Sequence, residues 1–139
     1  MWSFAEPFGL QDVVAVPLSE IILMSRHLRA AEIHSYMNLQ PLKDLGNPDT
    51  PAPVAADESG RSSQTFLMEV MVRKGREERR AMARGRDIYA VTAPLVVEAA
   101  VRIVAGSSSA AGVMAAGQIF DARDFLEALS PEHLTVGIS

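Results

Sequence analysis

Residues 64–90 read QTFLMEVMVRKGREERRAMARGRDIYA, and the fold class turns on this stretch. From Gln64 to Arg73 apolar side chains alternate. Phe66, Met68, Val70 and Val72 fall on one side of an extended backbone, and Leu67, Glu69 and Met71 on the other. Lys74-Gly75-Arg76 is a turn and Glu77 to Ala90 returns, so the spacing predicts a β-hairpin. On the returning strand Ala81, Ala83 and Gly85 make a small-residue face that lets another element approach closely, with Gly85 marking a bulge.

A helix follows the hairpin. Thr92 is a suitable N-cap, Pro94 sits in the first turn where its missing N–H costs nothing, and Gly106 ends the run. Leu95, Val96, Ala99, Ala100, Ile103 and Val104 form a wide apolar stripe, and Glu98 and Arg102 pair at i, i+4 on the wet side. Gly106 to Gly112 is a serine-rich loop in which Ser107, Ser108 and Ser109 make a turn. Asp121 then caps a short helix from Ala122 to Leu129 that buries Phe125 and Leu129, and Thr135 to Ile138 is a last strand.

Toward the amino terminus, Val13-Val14-Ala15-Val16 reads as a buried strand closed by Pro17. Ser19 caps a helix carrying Ile21, Met24 and Leu28. Ile33 to Leu39 is another strand, with Ile33, Ser35, Met37 and Leu39 on one face. Residues 43–63 hold Pro48, Pro51 and Pro53 among Asn, Asp, Ser and Gly, and are expected to form a mobile surface loop between two halves. There is no internal repeat.

The chain has 139 residues, the size of one domain, and residues 1–139 are read as such. With 48% hydrophobic and 22% charged residues it has an ordinary globular balance. A net charge of −4 gives no case for a nucleic-acid or anionic-membrane partner. No apolar run approaches the roughly 18 residues that span a bilayer. The absence of cysteine excludes disulfides, thiolate metal sites and cysteine nucleophiles, and together with an amino terminus unlike a signal peptide it points to the cytoplasm.

Chemistry-bearing motifs are sparse. His27, His34 and His133 lack metal-ligand spacing, so no metal site is expected. Seven basic residues fall between Arg73 and Arg86, but Glu77, Glu78 and Asp87 dilute them and no aromatic residue interleaves for base stacking, so they read as a solvated hairpin. No G-x-G-x-x-G, G-x-x-x-x-G-K-[ST] or G-x-S-x-G occurs, and Asp87 and Glu98 read as lone carboxylates on exposed faces.

The run from Arg84 through Asp87, Tyr89, Thr92-Ala93-Pro94 and Glu98 to Ala99 resembles the strand–turn–helix near the end of saccharopine dehydrogenase-like oxidoreductases. Gly112-Val113, the segment Phe120 to Leu126, Val14 to Ile21, Ser25-Arg26-His27-Leu28 and Ser35 to Asn38 are similar to that family in order and spacing. The resemblance implies a carboxyl-terminal, substrate-side and dimerisation domain of α+β class. Its sheet is mixed, mostly antiparallel and flanked by helices. It also implies a parent that binds NAD or NADP in an amino-terminal Rossmann domain, which this chain lacks. No catalytic residue is then expected here, and the chain alone binds no cofactor. His27, Tyr89 and Thr92 are the positions expected to line a substrate cleft, and a homodimer is the expected assembly. Two other classes stay open: a non-catalytic dimerisation or interaction module, and a small-molecule-binding domain.

Overall fold

The computed structural model describes residues 1–107 and 111–138, so the expected turn at Ser108 and Ser109 lies outside the described residues. The chain is α+β: small antiparallel sheets with five helices among the described residues. It divides into two compact units, Met1–Ala52 with Val113–Gln118, and Pro53–Gly112 with Ile119–Ser139.

In the first unit β1 (Trp2–Ser3) pairs with β2 (Leu10–Gln11), and β3 (Val13–Ala15) pairs with β4 (Tyr36–Asn38). β3 is not the buried strand expected, because Val14 and Ala15 are exposed. The Ile33–Leu39 strand shrinks to three residues, although its alternation holds: Ile33, Ser35, Met37 and Leu39 are half-buried. Helix α1 (Ser19–Ser25) starts on Ser19 rather than after it, and the preceding Leu18 provides no side-chain cap. Helix α2 (Leu39–Gly46) occupies ground expected to be strand and loop. Pro41 stands in its first turn, where proline gives up no hydrogen bond. A four-residue helix, α4 (Ala116–Ile119), completes the set.

The second unit is built on the hairpin. β5 (Thr65–Lys74) and β6 (Glu77–Arg86) pair over ten residues, and β7 (Thr135–Ile138) joins the far side of β6, giving the order β5-β6-β7. Every strand pair is antiparallel, so the parallel component expected of a mixed sheet does not occur among the described residues. Gly75 takes φ 63° in the two-residue turn, a conformation costly for side chains with a Cβ. The register runs through Gly85 without a bulge. Its missing side chain instead makes room for the ring of Phe66 directly opposite, which would lie 2.8 Å from an added Cβ.

β6 stops at Arg86, four residues short of the expected end, because Asp87 turns left-handed at φ 57°. Helix α3 (Thr92–Val104) follows and ends as expected at Gly106. There the N–H of Ser107 reaches the Arg102 carbonyl and that of Gly106 the Ile103 carbonyl, a Schellman closure. Helix α5 (Ala122–Leu129) is capped by Asp121, whose carboxylate accepts the Asp124 N–H at 2.9 Å. Val91, Leu129 and Leu134 form the core, with Phe66, Leu95, Phe125, Leu126 and Val136 packed around it.

Candidate functional site

The corner between β6 and α3 is organised by one carboxylate. Asp87 Oδ1 accepts the N–H groups of Tyr89 (3.2 Å) and Ala90 (3.0 Å), and Oδ2 accepts that of Ser62 (2.8 Å). Aspartate tolerates the left-handed backbone because its short side chain bonds locally in this way. These N–H bonds, from Ser62 foremost, hold the Asp87 carboxyl below its usual range. Asp87 is therefore no lone surface carboxylate but the clamp of the strand–turn–helix. Thr92 does not cap α3 either: it is the first helical residue, and its hydroxyl reaches back toward the Ile88 carbonyl at 3.4 Å. The local signal that was missed is an Asp placed two and three residues before the N–H groups it serves.

Beside this corner Asp57 collects Arg86 Nη2 at 2.6 Å, the Ser59 N–H at 2.9 Å and the Ser59 hydroxyl. The Ser59 hydroxyl first, and Arg86 second, bring its carboxyl down to about 2. Arg86 thus pins the turn at Asp57–Gly60 to the end of β6. Three of the seven basic residues around the hairpin are tied up in ion pairs: Arg73 with Glu78, Arg80 with Glu69 and Glu78, and Arg86 with Asp57.

The expected cleft residues are divided between the two units. Tyr89 and Thr92 share one turn, joined by the Thr92 N–H to the Tyr89 carbonyl at 3.1 Å, and the Tyr89 side chain is largely exposed. His27 belongs to the other compact unit. Its Nδ1 donates to the Leu23 carbonyl at 2.9 Å, and its Nε2 lies 2.8 Å from where a Cβ on Gly117 would stand. Among the described residues no group of three or more His, Cys, Asp or Glu is placed to hold a metal ion. No helix among them is long and apolar enough to cross a membrane.

A cleft of about 370 Å³ opens between the end of α3 and the start of α5, lined by Glu98, Arg102, Asp121, Asp124 and Phe120 among others. Arg102 is held there by Glu98 Oε1 at 2.6 Å and by the Asp124 carboxylate, with its guanidinium 5.1 Å from the Phe125 ring centre. With three carboxylates around one engaged arginine, the cleft offers an anion nothing. It also reverses the expected facing of α3: the Glu98–Arg102 pair is on the covered side, and Arg102 is only 17% exposed. Val97, Val101 and Val104 stand 60%, 57% and 88% exposed, with Val96 and Ile103 beside them.

The sheet repeats this pattern. On one face Phe66 reaches the core, while Met68, Val70 and Val72 of β5 and Ile138 of β7 are each more than half exposed around Ala81 and Ala83. The accessible surface is 10619 Å². Even two separate compact bodies of these sizes would expose about 8,500 Å². The apolar side chains left exposed on α3 and the sheet contribute to that excess. No family model, curated protein or solved structure matches the chain.

Proposed function

We propose that this chain is an association domain, non-catalytic by itself, and that it serves as the carboxyl-terminal part of a saccharopine dehydrogenase-like oxidoreductase. The observation that carries the association reading is the bare apolar surface: the valine face of α3 and the Met68, Val70, Val72 and Ile138 face of the sheet. Solvated helix faces favour charged and straight-chain residues, since β-branched side chains lose rotamer freedom in a helix and gain nothing in water. Exposed contiguous apolar patches mark surfaces that meet a partner. The candidate partners are a second copy and the Rossmann domain of the parent, which would bind NAD or NADP. The parent assignment rests on the Arg84–Ala99 strand–turn–helix and on the order of the flanking motifs. In that setting Tyr89, Thr92 and His27 would line the substrate side, and the chain would work in the cytoplasm.

Sedimentation velocity of the chain from 1 to 100 μM tests the association. A homodimer is expected at micromolar concentration, and a single monomeric species at the highest concentration would overturn the reading. Titration with NADH and NADPH tests the second half. No binding is expected, because no glycine-rich strand-to-helix turn is present to cradle a pyrophosphate. A dissociation constant of about 10 μM or tighter, roughly −7 kcal/mol, would show a cofactor site within this chain.

A further inference from the structure

The outer edge of β5 is the other unused surface of the sheet. The two-residue turn Gly75-Arg76 makes Lys74 and Glu77 a hydrogen-bonded pair, and such pairs recur at every second position. The Asp87 N–H to the Gln64 carbonyl, at 2.7 Å, falls on the same series. Gln64, Phe66, Met68, Val70, Val72 and Lys74 therefore spend their backbone groups on β6. The N–H and C=O groups of Thr65, Leu67, Glu69, Met71 and Arg73 point to the open edge, where no strand pairs among the described residues. This edge is ten residues long and carries no proline, glycine or bulge. Proline and bulges are among the devices that ordinarily blunt an exposed edge; of charged side chains, another such device, Glu69 lies mid-strand but is engaged by Arg80 of β6, and the basic residues of the tip lie beyond the middle.

We propose that two copies of this chain join through β5, antiparallel and edge to edge, with Met71 opposite Met71 on the twofold axis. The proposal rests on the association reading above and names its partner and register. Charge selects the register. Centring on Met71 sets Glu69, the only acid of β5, opposite Arg73 of the other copy twice over, and sets Val70 opposite Val72. Centring on Glu69 would put two carboxylates face to face, and centring on Val70 would leave Arg73 opposite Leu67. In the chosen register the two apolar sheet faces merge into one six-stranded surface, with Met68, Val70 and Val72 of both copies at its centre. Main-chain bonds along the edge supply the attachment, as in other strand-addition complexes.

The chain has no cysteine, so a single one reports the register directly. Hydrogen-bonded antiparallel pairs place their Cα atoms about 5.5 Å apart, within reach of a disulfide. Met71→Cys in the full chain, oxidised with copper phenanthroline, is expected to give a covalent dimer, while Met68→Cys, set opposite Lys74, stays largely uncrosslinked. Arg73→Glu places like charges opposite each other at both ends. It should weaken the dimer about tenfold, and because it also sets a carboxylate opposite Glu78 within the chain, a small drop in the thermal melt should accompany it. If the unmodified chain is dimeric but Met71→Cys does not crosslink and Arg73→Glu has no effect, the edge proposal is overturned and the association reading survives. Faster crosslinking of Val70→Cys than of Met71→Cys overturns the register. A monomeric unmodified chain overturns both readings.

Discussion

Helices α3 and α5 touch within one compact unit, and they divide their surfaces in opposite ways. Helix α5 turns Phe125, Leu126 and Leu129 into the core and leaves Arg123, Asp124 and Glu127 in water. Helix α3 puts Leu95 against that core at its first turn, then sends Glu98 and Arg102 inward and Val97, Val101 and Val104 outward. One helix is finished by its own chain. The other leaves its valine face bare in this chain. The inward ion pair is tolerable because Arg102 is fully engaged: it bridges Glu98 and Asp124 while its guanidinium lies over Phe125. Side-chain periodicity alone does not distinguish these cases, since α3 is apolar on more than one side.

The largest expected effect belongs to the finished helix. Leu129 is 3% exposed at the centre of the core, and Leu129→Ala should cost about 3 kcal/mol through lost burial and the cavity it leaves. Urea denaturation reads this directly. A loss below about 1 kcal/mol would mean that α5 is no better packed than α3, and the contrast would dissolve.

Next in size is the corner from which α3 springs. Asp87→Ala removes the acceptor of three N–H groups and puts alanine at φ 57°, so a loss of about 2–3 kcal/mol is expected. Asp87→Asn keeps one acceptor oxygen and the tolerance of the left-handed region, and should recover about half of that loss. Equal losses in the two variants would place the effect in the carboxylate charge rather than in the backbone turn.

The unfinished helix should behave in the reverse manner. Val97→Lys and Val101→Lys, made singly, should shift stability by no more than about 0.5 kcal/mol, because both sites are solvated in the chain itself. The double variant should cut the binding of a hydrophobic dye severalfold while leaving the melt unchanged. A collapse of the fold would show that these valines are packed after all.

How much of this was legible in the sequence follows from the range of the forces involved. The hairpin, α5 with its Asp121 cap, β7 and the Gly106 closure all rest on alternation or on residues within one turn of each other, and they stand where the pattern placed them. The α+β class, which the resemblance implied, is what these elements make. The facing of α3 depended on Asp124, which lies 22 residues from Arg102, and local periodicity carries no such information. The end of β6 was misplaced because Arg86 to Ala90 keeps strand-like residues while Asp87 reverses the backbone. The short pairings of β1 with β2 and the single turn of α4 are too brief to leave a period. Of the expected cleft residues, Tyr89 and Thr92 fell together because they are neighbours in one turn, and His27 fell in the other unit.

The smallest expected effect separates contacts held by packing, like those of α5, from contacts held by charge. The turn at Asp57–Gly60 is tied to β6 by Arg86 through Asp57, whose carboxyl is lowered from 3.8 to about 2. A carboxylate that titrates lower in the folded chain contributes most above its unfolded value, and that contribution fades as pH falls from about 4 through about 2. The Asp57 side chain is nearly half exposed, so solvent screens the ion pair and the consequence is local rather than global. The amide signals of Ser59 and Gly60, followed by NMR from pH 6 downward, should therefore move with a midpoint near 2 while the Leu129 signals stay in place over the upper part of that range. Asp57→Asn should abolish the transition. A midpoint near 4 would mean that neither Ser59 nor Arg86 holds the Asp57 carboxylate, and simultaneous movement of the Leu129 signals would mean that the core depends on this charge. In that case packing and charge would not be separable in this unit, and the contrast between α5 and α3 would need another cause.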